Sequence, residues 1–512
     1  MGTLSQTAPA ATVRCSVDPQ RDRRAISPLI YGTNQPDWNS TARHLTLTRI
    51  GGNRMTAYNW ENNASNAGSD WQHQNDSFLG GGDTPGEVIR PQVARALANG
   101  ASIIVTVPMA GYVAADKKGD GDVNKTPDFI GTRFVRSLPR KGGPFAFPPD
   151  AADRAVYQDE FVAWLKKTFP DAHRAGATSR AVYYSLDNEP DLWDHTHARL
   201  RTAKLTYQEL LQRTVDYAAA IKAVAPGTLV FGPASYGWQG YVRLQDAPDA
   251  NGRDFLDFYL SGMREAERTA GRRLLDVLDL HWYPEARGAG KRVTEGGSEP
   301  GLVAARVQAP RSLWDPTYLE DSWIAGSLGQ PIRLLPRMKE KIARHYPGTK
   351  LAITEYNYGG GGHISGGVAQ ADVLGVFGSE GVFAATLWHL SGDERFAYGG
   401  LAMYRDFDGK GGRFGDTSVY AQTSNPAKCS VHASIDRSDP KRMVLVAINK
   451  TDAPLTAEIG VASSRAPRCT AAYQLAGASP VPKRAAALPS VAGGRLRCPL
   501  PAMSVSTLVL TV

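Results

Sequence analysis

Short apolar runs recur along the first three quarters of the chain, separated by polar stretches rich in Gly, Pro, Asn and Asp. They cover residues 29–32, 45–50, 103–107, 182–186, 229–231, 277–280, 351–353 and 383–387. Most are too short for buried helices and carry β-branched or aromatic residues, so they predict strands. Helical spacing lies between several of them. Tyr157, Phe161, Leu165 and Phe169 share one face, as do Leu210, Leu211, Thr214, Ala218 and Ile221. Strands alternating with helices predict a parallel sheet. Eight of them, each feeding a loop or helix, predict an α/β fold with a closed (β/α)₈ barrel over residues 26–395. No helical pattern separates the first two strands.

Beyond residue 396 the pattern changes. Residues 431–435, 443–448 and 505–512 read as strands among Pro, Ala and Gly turns, without helical periodicity, and predict a small all-β module. Residues 12–17 have no place in the barrel and fit as a further strand of that module. Its predicted extent is therefore 8–25 plus 396–512. Cys15, Cys429, Cys469 and Cys498 all fall inside it. Four cysteines allow three pairings, and buried thiols fit as well as disulfides.

Of 512 residues, 42% are apolar, 9% aromatic and 21% charged, which suits a folded chain and excludes a disordered one. No apolar run is long enough to span a membrane. The 58 basic residues exceed the 50 acidic ones by only 8 and are scattered, so no basic stripe suggests nucleic acid. Dinucleotide and Walker-type loops, zinc helices and paired-cysteine knuckles are absent from the sequence. Met1-Gly2 resembles a myristoylation start, but Gln6 stands where Ser or Thr is wanted. The first 13 residues lack the apolar core of a signal peptide, which fits a cytoplasmic protein or one whose signal has been removed.

Barrel active sites form where strands end at their carboxyl side. Here those ends read Arg49-Ile50-Gly51-Gly52-Asn53-Arg54, Ser185-Leu186-Asp187-Asn188-Glu189-Pro190, His281-Trp282-Tyr283-Pro284, Thr354-Glu355-Tyr356-Asn357 and Leu387-Trp388-His389. Glu189 and Glu355 sit on strands four and seven, which face each other across a barrel mouth. A glycosidic bond needs such a pair: one carboxyl to protonate the leaving oxygen, the other to attack or to activate water. Both glutamates could instead be ion-pair partners of Arg49 or Arg54. The aromatics around them favour a sugar site. Trp60, Trp71, Trp282, Trp314, Trp323 and Trp388 are candidate platforms, since an indole offers apolar area and an N–H. Core packing is the competing explanation for each, and for Trp164 on a helix face it is the expected one. Trp60 and Trp282, beside polar residues, are the strongest candidates. Asn53, Asn188, His281, Tyr283 and Tyr356 are further candidates for contacting substrate.

These segments carry a resemblance. Gly51-Gly52-Asn53-Arg54, Tyr58-Asn59-Trp60-Glu61-Asn62-Asn63, Leu186-Asp187-Asn188-Glu189-Pro190, His281-Trp282-Tyr283-Pro284-Glu285, Val307-Gln308-Ala309-Pro310-Arg311-Ser312-Leu313-Trp314-Asp315 and Ile353-Thr354-Glu355-Tyr356 resemble glycoside hydrolase family 44. That family comprises retaining endo-β-1,4-glucanases and xyloglucanases. The resemblance implies a barrel joined to a β-sandwich built from both chain ends. It also implies Glu189 as acid/base and Glu355 as nucleophile. Asn188 is then placed to donate to the 2-hydroxyl of the reacting sugar. It implies a β-1,4-linked polysaccharide substrate such as a cellulose-type glucan, xyloglucan or mixed-linkage glucan; the rim aromatics, whose faces do not distinguish glucose from xylose, add xylan as an expected secondary substrate. A non-catalytic glycan-binding barrel is the alternative from another class.

No catalytic cofactor is expected, because two carboxylates suffice. A structural Ca²⁺ is, and the resemblance assigns it Glu61, Asp150 and Asp153. The run Asp116-Lys117-Lys118-Gly119-Asp120-Gly121-Asp122 looks like a calcium loop but lacks the downstream bidentate glutamate. Gly359 to Gly362 are expected to form a mobile rim loop. No nucleic-acid or membrane partner is expected. A monomer is, and a polymeric substrate implies a secreted protein.

Overall fold

The computed structural model describes residues 11–38, 44–463 and 466–512. Residues 8–10 of the predicted module, and the Met1-Gly2 start with Gln6, lie outside the described residues. Eight parallel strands close into a barrel: Gly32–Asn34, Leu47–Ile50, Ser102–Val107, Val182–Leu186, Val230–Ser235, Val277–Trp282, Lys350–Tyr356 and Ala384–Leu387. Every predicted run supplies one of them. The first is displaced: Pro28–Ile30 forms a 3₁₀ turn, with Pro28 at its start and Ser27 Oγ accepting from Leu29 N, and the strand begins at Gly32. Two predicted helices appear as Gln158–Thr168 and Tyr207–Val224, their apolar faces buried against the barrel.

The chain does not turn to pure β structure at residue 396. Arg395–Arg405 is a helix, packed on the long helix Ile364–Glu380. Its glycines 399 and 400 fall among Phe396, Leu401 and Met403, which weakens the helical signal in sequence.

The strands that follow form one hydrogen-bonded path in which Thr417–Thr423 pairs with strands on both sides. The N-terminal strand Ala11–Asp18 lies antiparallel to it and parallel to Leu455–Val461. Val13, Cys15, Leu455, Ile459 and Leu496 meet Val431, Met443, Leu445, Leu508 and Leu510 in a shared core. The strand Arg442–Asn449 explains why its sequence does not alternate. Met443, Leu445 and Ala447 enter that core, while Val444, Val446 and Ile448 join the barrel's core from the other face.

Polar groups pin this face to the barrel. Asp372 of the helix Ile364–Glu380 takes His432 Nε2 at 2.9 Å and Lys450 Nζ at 2.6 Å, both from module strands or their ends. All four cysteines are free, buried thiols of the module core, with Cys15 and Cys429 in direct contact.

Candidate active site

Arg49 closes the second barrel strand as a fully buried guanidinium. Its Nη1 donates to Glu355 Oε1 at 2.7 Å, and its Nη2 donates to Asn188 Oδ1 at 2.8 Å. The two glycines after it leave room for this arrangement. A Cβ on Gly51 would lie 2.2 Å from the Arg49 guanidinium carbon. One on Gly52, where φ is +89°, would lie 2.8 Å from the Trp388 ring.

After Leu186 the fourth strand breaks into a tight turn, with Asp187 (φ 66°) and Glu189 (φ 43°) both left-handed. Such backbone costs a non-glycine residue of order 1–3 kcal/mol and persists only where neighbours hold it. Asp187 is the holding group. Its Oδ1 accepts from Thr56 Oγ1 at 2.6 Å and Asn188 N at 2.8 Å, and its Oδ2 accepts from Met109 N at 2.5 Å and Ala110 N at 3.2 Å. Burial raises its pKa to about 7 despite those donors. Asn188 is fixed in turn: Oδ1 also accepts from Gly52 N at 3.2 Å, and Nδ2 donates to Asn53 Oδ1 at 3.3 Å.

Glu189 and Glu355 face one another with His281 between them. One oxygen of each carboxylate and one ring nitrogen of His281 all lie within 4.8 Å of one another. His281 Nδ1 is 2.9 Å from Glu189 Oε1 and 3.5 Å from Glu355 Oε2. Burial depresses the histidine pKa to about 4, against the pull of Glu355, so the ring is neutral near pH 7. Nδ1 faces carboxylates and therefore carries the ring proton. Glu189 is raised to about 7, chiefly by burial, with Arg49 opposing and Asp70 adding. Glu355 Oε2 accepts from the Tyr283 hydroxyl at 2.8 Å, so both of its oxygens have donors suited to an anionic carboxylate. Three convergent donor atoms could also cage a cation. The guanidinium already on Glu355 opposes a second positive charge there.

Two lobes open from this point. The larger, about 770 Å³, is lined by Gln35, Asn53, Asp70, Trp71, Phe78, Asn188, Glu189, Tyr283, Glu355 and Trp388. The smaller, about 310 Å³, holds Glu189, Tyr236, Trp238, Trp282, Tyr283, Trp323 and Leu390, and not Glu355.

A xyloglucanase of glycoside hydrolase family 44 from Paenibacillus polymyxa, solved with xyloglucan, superposes on the chain with a TM-score of 0.92. It is 42% identical, with 98% of this chain and 100% of that one covered. The chain belongs to glycoside hydrolase family 44. Residues 64–286 match the family's sequence profile. By sequence, endoglucanase A of Paenibacillus lautus is 44% identical over 88% of this chain; the chain spans 66% of that relative's length. A bifunctional glucanase-xylanase from a metagenome library superposes with a TM-score of 0.82 at 30% identity, over 99% of this chain and 100% of that one.

Family membership does not make every strand-end aromatic a sugar contact. Trp71, Trp388, Trp282 and Trp323 line the two lobes, as do Asn53, Asn188 and Tyr283. Trp60 does not: it is buried, stacked on Phe161 at 5.6 Å and against Trp164 at 5.7 Å. Tyr356 is core as well, its hydroxyl accepting from Gln370 Nε2 at 2.8 Å and its ring set edge-on to Phe377. Trp314 packs partly buried against the core and lines neither lobe. The glycine run after Glu355 is not an open rim loop: a Cβ on Gly359 would lie 2.1 Å from Val293 O, and one on Gly360 2.8 Å from Arg306.

Sequence reasoning missed Asp70, Gln35, Phe78 and Tyr236, which come from loops without periodic signal. It read Arg49 only as an ion-pair partner, and Asp187 only as part of a motif.

Of the candidate metal ligands, Glu61 is buried, whereas Asp150 and Asp153 are exposed and cap turns at Ala152 N and Ala155 N. The three do not form a converged donor set among the described residues. Electrostatics link them nonetheless. Glu61 is raised to about 8 by burial, then by Asp153, Glu160 and Asp150, with Lys141 opposing. Glu160 Oε2 is buried without a partner. An all-oxygen, net-negative set of this kind fits a hard divalent cation. The aspartate run 116–122 is instead neutralised by arginines: Arg133 pairs with Asp116 and Asp120, and Arg199 with Asp122.

Proposed function

We propose that the chain is a retaining endo-β-1,4-glycanase acting on internal bonds of β-glucans, xyloglucan among them, with xylan as a secondary substrate. The observation that carries this reading is the approach of Glu189 and Glu355 oxygens to within 4.8 Å. Retaining glycosidases hold their carboxyls about 5–5.5 Å apart, and inverting ones roughly 6.5–9.5 Å, to admit a water.

Glu355 attacks the anomeric carbon, held in place by Arg49 and Tyr283. Glu189 donates its proton to the leaving oxygen, and a pKa near 7 keeps that proton available at neutral pH. The neutral His281 donates from Nδ1 to Glu189 Oε1, which leaves Oε2 to carry the acid proton. In the second half-reaction Glu189 removes a proton from water, which displaces Glu355 and restores the original configuration. Asn188 has one N–H left for the 2-hydroxyl of the reacting sugar, a bond that strengthens as the oxocarbenium character grows.

No catalytic cofactor enters this scheme. Glu61, Asp150 and Asp153, with Glu160 beside them, would hold a structural Ca²⁺ that pins the segment carrying Trp60 to the segment before the helix Gln158–Thr168. Secretion follows from a substrate too large to enter a cell, and a monomer suffices because one chain supplies the whole site. No helix of the described residues is long and apolar enough to cross a membrane. Relatives named as an endoglucanase, a xyloglucanase and a glucanase-xylanase support the substrate range. The deciding experiment is proton NMR of the first-formed anomer during cleavage of a cello-oligosaccharide. A β product is expected, and an α product would remove the two-step mechanism.

A further inference from the structure

The four thiols of the module core are placed by its strands. Thr417–Thr423 is a corner strand: residues 417–419 pair with Cys429–Ile435, and residues 420–423 pair with Ala11–Asp18. The hydrogen-bonded path therefore folds at this strand, and the inner faces of its two halves meet. Val13, Cys15 and Val17 enter the shared core from one half; Cys429, Val431 and Ala433 enter it from the other. Their α-carbons come within 8 Å between the two strands, although Thr417–Thr423 separates those strands in the path. Inside the core the Cys429 thiol donates to the Cys15 sulfur.

The competing partners are too far away. A disulfide joins α-carbons about 4.4–6.8 Å apart. Cys429 and Cys469 have Arg442–Asn449 and Ser504–Thr511 between them, which puts them about 14 Å apart at the usual strand spacing. Cys15 and Cys498 have Leu455–Val461 between them, about 10 Å. They are also out of step, since Cys15 stands opposite Ile459 and Cys498 opposite Ala457.

We propose that Cys15 and Cys429 form a disulfide when the chain folds in an oxidising compartment, tying the N-terminal strand across the module core. The exported reading above supplies that compartment. Both thiols are buried in the finished fold, so the chemistry precedes closure of the module. One cysteine thiolate attacks a small-molecule or protein disulfide, forming a mixed disulfide and releasing one thiolate of the oxidant. As the strands meet, the second cysteine loses its proton and attacks the protein-side sulfur of the mixed disulfide. The new S–S bond forms as the mixed one breaks, and the second sulfur of the oxidant leaves as a thiolate. Two cysteine thiols are oxidised, one disulfide is reduced, and the two protons end on the oxidant's thiols.

The test sets the redox poise itself, so its outcome does not depend on where the protein resides. The full chain is produced in two forms, exported to an oxidising bacterial periplasm or kept in a reducing cytosol. Free thiols are alkylated under denaturing conditions, and the digests are mapped by mass spectrometry. The exported form should give the Cys15 peptide joined to the Cys429 peptide, and the cytosolic form should give both alkylated. The closed loop spans the whole barrel, so the bridged form should melt about 5 °C above the reduced one. Cys15→Ala should remove most of that difference; the peptide map needs no variant and decides the matter if this one misfolds. Exported protein with Cys15 and Cys429 both alkylated would overturn the proposal. Cys15 joined to Cys469 or Cys498 would overturn it too, as would a bridged form that melts no higher than the reduced one.

Discussion

His281 Nδ1 lies 2.9 Å from Glu189 and 3.5 Å from Glu355, so one buried, neutral imidazole touches both carboxylates of the cleft. It supplies one proton to a site that has two acceptors. The asymmetry between the acids must therefore come from their other partners: Arg49 and Tyr283 for Glu355, burial for Glu189.

That asymmetry predicts distinct phenotypes for the two amides. Glu355→Gln should abolish turnover of every substrate. Glu189→Gln should spare kcat/KM for activated aryl glycosides, while polysaccharide cleavage falls by about 10²–10⁴. Azide should accelerate the Glu189 variant and yield a β-glycosyl azide. An α-azide from that variant would reverse the assignments.

Acidity gives a second prediction. In the proposed mechanism Glu189 acts on polysaccharide in its protonated form, so kcat/KM should fall as pH rises through about 7. Stability should move the same way. Asp187, Glu189 and Asp191 have ordinary values of 3.8, 4.5 and 3.8, and burial raises each to about 7. Between those values and 7 these three carboxyls bind more protons in the folded protein than in the unfolded chain. Buried His281, lowered from 6.5 to about 4, offsets only part of this, so stability declines as pH rises. Thermal melting at pH 5 and pH 8 checks this, and a Tm no lower at pH 8 would contradict it.

Asp187 gives a third. Asp187→Ala leaves Met109 N and Ala110 N without their acceptor and frees the left-handed turn that carries Glu189. Misplacing a catalytic group by about 1 Å costs on the order of 10²-fold. The loss should be larger for poor leaving groups than for activated ones, because it acts through the acid. A uniform loss across leaving groups would mean that Asp187 serves only folding. Circular dichroism and the variant's Tm would separate a damaged fold from a displaced acid.

The two kinds of tryptophan separate by what their removal damages. Trp60→Ala should cost about 3–5 kcal/mol of stability, because it empties a space between Phe161 and Trp164. Trp71, 57% exposed on the larger lobe, should when changed to Ala raise KM several-fold and move stability by less than about 0.5 kcal/mol. Denaturant melts and Michaelis curves on xyloglucan measure both.

These tryptophans also mark what the chain reveals about itself. The eight strands were legible because parallel strands, buried on both faces, read as unbroken apolar runs. The placement of Glu189 and Glu355 at the cleft was legible because a carboxylate at the end of such a run has no packing reason to be there. Burial at a strand end was not legible. Trp60 and Trp71 both stand among Asn, Asp and Gln, and only the packing of Trp60 on Phe161 and Trp164 distinguishes them. The helix Arg395–Arg405 escaped notice because its paired glycines mimic a turn in sequence, whereas in the fold they admit Pro480 O and Gly367 O at close range.

Calcium supplies the last prediction. Added Ca²⁺ should raise Tm, and chelation should lower it, by linkage to the folded state alone. Glu61→Gln should abolish that response. Chelated enzyme that stays folded should keep its kcat; a loss of kcat without loss of structure would give the ion a part in the chemistry.

The strand Ala11–Asp18 lies between Thr417–Thr423 and Leu455–Val461, both of which follow the entire barrel in the chain. A nascent chain therefore makes this strand before the barrel and can use it only once residues 417–461 have been made. Until it docks, each neighbour presents an unpaired edge, and Val13, Cys15 and Val17 have no core to enter. The barrel can close ahead of the module, but the module cannot close ahead of the barrel. Long-range pairing of this kind is slow, so the docking of Ala11–Asp18 is a step at which the unpaired edges of Thr417–Thr423 and Leu455–Val461 lie open to other chains.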